Sequence, residues 1–409
     1  MFDYNDADQV HRMRGEVNLN EVSQCRSYNN CDSVKIKQLS GSIWRISVKN
    51  ILTFSVRTFT TQAVISGCMV ALGVIASLAP AAATTINITS APYNAVGDGI
   101  TENTAKINQA LTDAYNSNPK KDVYVPAGTF AHNGLIYVNG VKLWGAGRTT
   151  SILKATNPDQ CAVDLSGSGA QLLTLEVCCP SATTRLGAGW QAGVQIRGSN
   201  FLVQGINVGD PNTGGGPAGG ILSYGGSQGT IEGNYVYNTL ADGIHLTNGS
   251  NNIGVNANTI TNAHDDMIAV VSYLGNSTIS QYITISNNTC VSQTWGRGIA
   301  VVGGNQIGIY GNTVQSSFDA GMYICSEENG ATQSKAASNI NIYNNRILNA
   351  NVGWQTVSHG AIYVYGNPGY VTSNVNIHDN PAVHDVPGLG IQVIQPYVSN
   401  IMQSNNNVY

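Results

Sequence analysis

Ile231-Glu-Gly-Asn234, Val255-Asn-Ala-Asn258, Ile285-Ser-Asn-Asn288, Ile309-Tyr-Gly-Asn312, Ile342-Tyr-Asn-Asn345 and Ile377-His-Asp-Asn380 repeat one short pattern. An apolar residue is followed by two small or polar residues and then asparagine. About ten residues after each comes a second short apolar segment: GIHL from Gly243, MIAV from Met267, GIAV from Gly298, GMYI from Gly321, AIYV from Ala361 and GIQV from Gly390. The asparagines recur every 24 to 35 residues, with the excess in insertions such as 326–338. A unit of this size, with two or three strands of four to five residues and asparagine at a fixed corner, is one coil of a right-handed parallel β-helix. A single coil cannot bury its own apolar face, so coils must stack, each ~4.8 Å from the next. Alternation along the second strand sends Ile244, Ile268, Ile299 and Met322 inward. Leucine-rich repeats are the structural alternative, but their leucine spacing is absent. The asparagines at 234, 258, 288, 312 and 345 read as a ladder of side-chain amides running along the stack.

Composition agrees with many short strands and tight corners. Only 10% of the residues are charged, against about 25% in an average soluble domain, and there are 46 glycines. Glycine and asparagine tolerate the left-handed backbone that sharp corners require. The net charge of −4 and the lack of any basic run exclude nucleic acid as the expected partner.

The N-terminal fifth differs. Residues 63–78 read AVISGCMVALGVIASL, with Lys49 and Arg57 before them and Ala81-Ala82-Ala83 after. A basic region, an apolar core and an A-x-A site make a secretory signal, here spanning 48–83. About sixteen apolar residues fall short of the ~20 that a membrane span needs, which leaves a stop-transfer anchor as the alternative. Residues 1–47 are then expected to be a non-native or disordered extension, with the true start near Val48. The expected product is secreted to the periplasm or the exterior, monomeric, and in contact with membrane only during export. It would comprise a cap and first coils over 84–160 and β-helix repeats over 161–409. Five cysteines remain in it. Cys290 and Cys325 replace Val or Ile of neighbouring coils and read as buried fillers; one bridge among Cys161, Cys178 and Cys179 is left open. No spacing suggests zinc.

Helical spacing of apolar residues over 101–115, with Thr101 or Asn103 as N-cap, predicts a helix that covers the first coil. Its surroundings, YNAVGDGITENT (93–104), DVYVPAGTF (122–130) and VKLWGAGRTTSIL (141–153), closely resemble the N-terminal segment of the pectate lyase superfamily. That resemblance implies a parallel β-helix and leaves open hydrolase, lyase, epimerase and binding functions.

In a chain so poor in charge, the charged corner carries information. Just before the second segment of successive coils the sequence reads Asp242, Asp266, Arg297, Ala320, Gly360. One residue further back it reads Ala241, Asp265, Gly296, Asp319, His359. The outward position within the strand reads His245, Ala269, Ala300, Tyr323, Tyr363, Gln392. Small residues beside Asp266 and Arg297 predict a groove there, walled by His245 and Tyr323, with Trp295 placed to stack on a sugar and Asp319 to contact it. His264 is carried as a further substrate-side candidate. Glu327 and Glu328 open an insertion and are expected to be solvated; His359, two coils away, is read as a remote subsite or as no part of the site. The glycines at 214–216 and 219–220 bracket a proline and predict a flexible loop near the cleft, with no phosphate-loop lysine after it.

Glycosidic cleavage needs a carboxylic acid to protonate the leaving oxygen and a carboxylate to activate water or attack carbon. Carboxylates ~5 Å apart raise each other's proton affinity, so one can be protonated beside an ionised neighbour. An adjacent arginine can hold a uronate, which points to an acidic polysaccharide. Leu240-Ala-Asp242-Gly243, His264-Asp-Asp266-Met267 and Gly296-Arg-Gly298 resemble the motifs of polygalacturonases. That match implies Asp265 as general acid, with Asp242 and Asp266 holding and deprotonating the water. The sequence departs from the family in carrying Arg297 for a histidine and Leu240 for an asparagine, and it has no Arg-x-Lys. The same residues support a second mechanism, in which Asp242, Asp265 and Asp266 bind calcium and Arg297 is the base of a lyase or epimerase. The hydrolase needs no cofactor. A glycan-binding β-helix of the adhesin or tailspike kind is the non-enzymatic alternative.

Overall fold

A computed structural model describes residues 85–185, 191–210, 214–293, 295–328 and 333–409, and two short strands nearer the N-terminus. The chain divides into two units, 1–80 and 81–409. Within the segment expected to be an extension, Val34–Lys37 pairs antiparallel with Ile43–Ile46. The secretory signal expected over 48–83 lies outside the described residues. Among the described residues no helix is long and apolar enough to cross a membrane.

The larger unit is a parallel β-helix. Ten successive coils each contribute one strand to each of three parallel sheets, and one further strand at either end brings the first sheet to 12 strands against 10 and 10. In one coil, Asn251–Asn256 lies in the first sheet, Thr259–Ala263 in the second and Ile268–Val271 in the third. The next coil repeats this with Gln281–Ser286, Thr289–Gln293 and Ile299–Val302. The register is regular: Ile244, Ile268, Ile299, Met322 and Ile362 stand one above another, and all are fully buried. Columns of isoleucine and valine from all three sheets fill the interior, each large side chain contributing ~2 kcal/mol by leaving water. The stack runs without a break past residue 160, since Ile136–Asn139 pairs with Val163–Ser166 and that strand with Ala192–Ile196.

The corners explain the composition. The residue between the first and second sheets is left-handed in coil after coil: Gly205, Gly233, Ala257, Asn287, Gly311, Asn344, Asp379 and Asn405. From Gly233 onward the residue that follows is asparagine, and it turns inward. Asn234 Nδ2 donates to Asn258 Oδ1 (2.9 Å), Asn258 to Asn288 (2.9 Å), Asn288 to Asn312 (3.0 Å), Asn312 to Asn345 (3.0 Å) and Asn345 to Asn380 (3.1 Å). Each Oδ1 also accepts the backbone N–H of the asparagine one coil earlier, and each Nδ2 also reaches a backbone carbonyl. The expected ladder therefore exists, and it satisfies the buried polar groups that such a corner would otherwise strand.

The capping helix is Thr104–Asn116, burying Ile107, Ala110, Leu111 and Ala114. Asn103 occupies the N-cap position but does not cap the helix. Its side chain instead accepts from Val96 N (2.8 Å) and donates to Val96 O (3.0 Å), while the Glu102 carboxylate accepts the Thr104 N–H (3.0 Å). Asn108 accepts Tyr137 N–H (2.9 Å) and donates to Leu135 O (2.8 Å), occupying the edge of the first third-sheet strand. Cys290 and Cys325 are fully buried, and the five described cysteines are all free thiols, so the open bridge among Cys161, Cys178 and Cys179 does not form.

Candidate active site

The charged corner lies where the chain passes from the second sheet to the third. Backbone hydrogen bonds fix its column: Gly243 N–H donates to Asp266 O (3.0 Å), Met267 N–H to Arg297 O (3.0 Å) and Gly298 N–H to Ala320 O (3.1 Å). The side chains continue the same ladder. Asp242 Oδ1 accepts Asp266 N–H (3.0 Å), and Asp266 Oδ1 accepts Arg297 N–H (2.9 Å). One oxygen from each of Asp242, Asp265 and Asp266 lies within 4.8 Å of the others. Gly296 lets the next coil lie close against Asp265. It is left-handed at φ +95°, and a β-carbon there would sit 2.6 Å from the Asp265 backbone.

Three like charges so close cannot all ionise freely. Burial, and then the charge of Asp242, push the Asp265 carboxyl up to about 6 against the pull of Arg185. Burial also raises Asp266 well above the usual carboxylate range, although Arg297 works against the shift. Asp242 is held by His245 Nδ1, and the buried His245 Nε2 meets no hydrogen-bond partner among the described residues.

Asp242, His245 and Asp265 face a cavity of about 210 Å³ together with Arg185, Gln191, Tyr273 and an apolar floor that includes Ala192, Gly219, Ile221 and Leu222. The expected groove over Ala269 and Ala300 is closed. Both alanines are buried, in a second apolar cluster with Val271, Val302, Ala320 and Cys325, and Tyr323, Tyr273, Tyr363 and Tyr365 pack there. Small side chains drew larger neighbours onto the sheet instead of leaving space, and the open cavity sits toward the N-terminal coils.

Tyr323 is accordingly no open wall. It is 3% exposed, donates to Glu327 Oε1 (3.0 Å), and carries the Arg297 guanidinium 4.1 Å above its ring. Arg297 reaches Glu327 (3.2 Å), Asp266 (3.6 Å) and Asp319 (3.6 Å). Burial works to lower the Arg297 pKa, but Asp266, Glu327 and Asp319 outweigh it and hold the guanidinium protonated. Asp319 is itself buried and bonded to His359 Nδ1, so His359 joins this network and not a remote subsite. Glu327, expected to be solvated, is buried, whereas Glu328 is exposed. His264 lines a separate hollow of about 390 Å³ with Asn238, Thr239 and Asn262, and Trp295 stands 55% exposed on the turn before Gly296.

Arg185, Tyr273 and Glu327 come from irregular segments outside the repeat alignment, so no column announces them. Arg185 Nη1 pairs with Asp265 Oδ2 (2.8 Å), and its Nε donates to Leu240 O (3.0 Å). Distance alone would let the aspartate trio take a cation. The donors already aimed at it, from His245, Arg185, Arg297 and two backbone amides, do not fit a calcium cage of 6–8 oxygens.

Residues 85–319, over half of the chain, match the family described as rhamnogalacturonase A/epimerase, pectate lyase-like. The chain belongs to that family. No curated protein sequence matches it. Among solved structures, this member of the pectate lyase-like family is similar to the catalytic unit of the GH87 α-1,3-glucanase of Streptomyces thermodiastaticus strain HF3-3. The identity there is 18% and the TM-score 0.58, over 80% of this chain and 69% of that one. It is also similar to the Dettilon tailspike protein, with 16% identity and a TM-score of 0.57 over 78% and 68% of the two chains. At these identities the likeness is one of fold.

Proposed function

We propose that the protein is a glycoside hydrolase that cleaves a polysaccharide at the corner formed by Asp242, Asp265 and Asp266. The observation that carries this is the environment of Asp265. Its proton affinity is raised to about 6 in a cavity that it shares with Asp242. Such a carboxyl is protonated at mildly acidic pH and suited to give its proton to a leaving glycosidic oxygen. Asp242, oriented by His245, holds and deprotonates the attacking water, and Asp266, buried behind it, donates its backbone N–H to Asp242 and keeps it in place. Trp295, exposed one coil on, offers a stacking face to a more distant sugar.

Elimination or epimerisation would require Arg297 to give up its proton. Three carboxylates around it oppose that, which favours hydrolysis. The donors facing the aspartates favour a reaction without calcium. We further propose that the chain is exported through the apolar segment 63–78 and acts as a monomer.

Asp265→Asn keeps the shape of the protonated acid and removes the proton. It is expected to lower the release of reducing ends by about 10²- to 10⁴-fold. Retained activity would remove Asp265 from the mechanism. Products bearing the ultraviolet absorbance of an unsaturated uronate would replace hydrolysis with elimination.

A further inference from the structure

The 85–409 region contains only eleven lysines and arginines, all of them among the described residues. Four of these cations lie on the segments around the cavity, and all four are engaged. Arg185 is paired with Asp265 and two backbone carbonyls. Arg197 is bidentate on the buried Asp164 (2.8 and 2.7 Å). Arg297 lies among Asp266, Asp319 and Glu327, and Lys335 turns to Leu274 O (3.5 Å). The amide of Gln191 is likewise directed at Pro158 O and Asp159.

What faces the cavity is rich in acceptors. Asp242 and Asp265 present carboxyl oxygens. His245 is joined through Nδ1 to Asp242 and orients that carboxylate toward the cavity. Beside them Arg185 and Gln191 line the cavity with their polar groups engaged as above, and Tyr273, Ile221, Leu222 and the Gly219–Gly220 backbone complete it. A ligand here is best met by hydroxyl donors and C–H faces, whereas a uronate would add another negative charge beside Asp242 and Asp265, and the cation on this lining, Arg185, is already paired with Asp265.

We infer that this site takes a neutral glycan, held through its hydroxyl groups, and rejects polyuronates. The inference rests on the glycosidase reading and departs from the acidic substrate that Arg297 suggested in the sequence. It also predicts a consequence of filling the floor. A β-carbon on Gly219 would meet nothing nearer than 3.9 Å, so Gly219→Leu can fold and occupy the sugar's place.

The test uses the full chain and compares polygalacturonate with the same polymer after its carboxyl groups are reduced to alcohols, beside neutral α- and β-glucans and galactans. Reducing ends are measured with and without added calcium. Affinity electrophoresis of the Asp265→Asn protein through each polymer gives a readout independent of turnover. The expected result is that at least one neutral polymer is cleaved about a hundredfold faster than polygalacturonate. It should also retard the Asp265→Asn protein, and Gly219→Leu added to that variant should abolish the retardation. Retardation by a neutral polymer without cleavage would support the neutral site while removing the hydrolase reading. Preferred retardation or cleavage by polygalacturonate, with calcium or without, would overturn the neutral site, and hydrolysis would stand only where polygalacturonate is cleaved to products without the absorbance of an unsaturated uronate. Neither cleavage nor retardation by any neutral polymer would overturn the neutral site as well.

Discussion

Arg185 sits 43% exposed on one side of its ion pair, yet it sets the proton affinity of a buried neighbour. Burial and the Asp242 charge raise Asp265, and Arg185 pulls it down, so the value near 6 is a balance. Activity that depends on protonated Asp265 should fall as pH rises through about 6. Arg185→Gln removes the lowering influence and leaves Asp265 protonated to higher pH. The descending limb of the kcat/KM profile is therefore expected to move upward in pH, and a limb that stays in place would take Arg185 out of the site. Arg297 shows the opposite arrangement, a cation so enclosed by acids that its part is to hold Asp266, Asp319 and Glu327 together. Its ring contact with Tyr323 adds an attraction that strengthens as water is excluded.

Two elements repeated from the Asn234 coil onward hold the stack in register. Asn288 makes four side-chain hydrogen bonds, to Asn258 N and Nδ2, Val255 O and Asn312. Asn288→Ala would leave buried donors and acceptors unpaired, and is expected to destabilise the protein by about 3 kcal/mol in chemical denaturation. The residue before it in each coil is left-handed, and in one coil that residue is Ala257, exposed and at φ +53°. A β-carbon there costs about 1 kcal/mol. Ala257→Gly should recover most of that as a higher melting temperature, because the exposed methyl group contributes little packing.

At the scale of the molecule, stability resides in the stack. The 81–409 unit has its own continuous core, and the described cysteines form no disulfide. A protein of residues 84–409 is expected to fold alone and to keep the same melting temperature with a reductant and a chelator present. A drop with chelator would mean that the aspartate trio holds a structural cation, and a drop with reductant would mean a bridge.

Sequence alone determined the β-helix, the asparagine ladder, the inward columns and the alignment of Asp242, Asp266 and Arg297, since strict stacking turns sequence period directly into spatial neighbourhood. The helix over the first coil was legible for the same reason, through its apolar spacing. Tertiary structure decided everything off the repeat. Loops brought Arg185 and Tyr273 to the aspartates and Glu327 to Arg297, and no period relates those residues to the column they join. It also closed the expected groove, because vacant space above Ala269 and Ala300 is filled by whichever side chains can reach it. The partners of each charge were settled there too: a guanidinium read alone is a uronate ligand, and the same group among three carboxylates is an internal counter-ion. Charge pairing depends on distances of a few ångströms between segments far apart in the chain, which only the folded coil supplies.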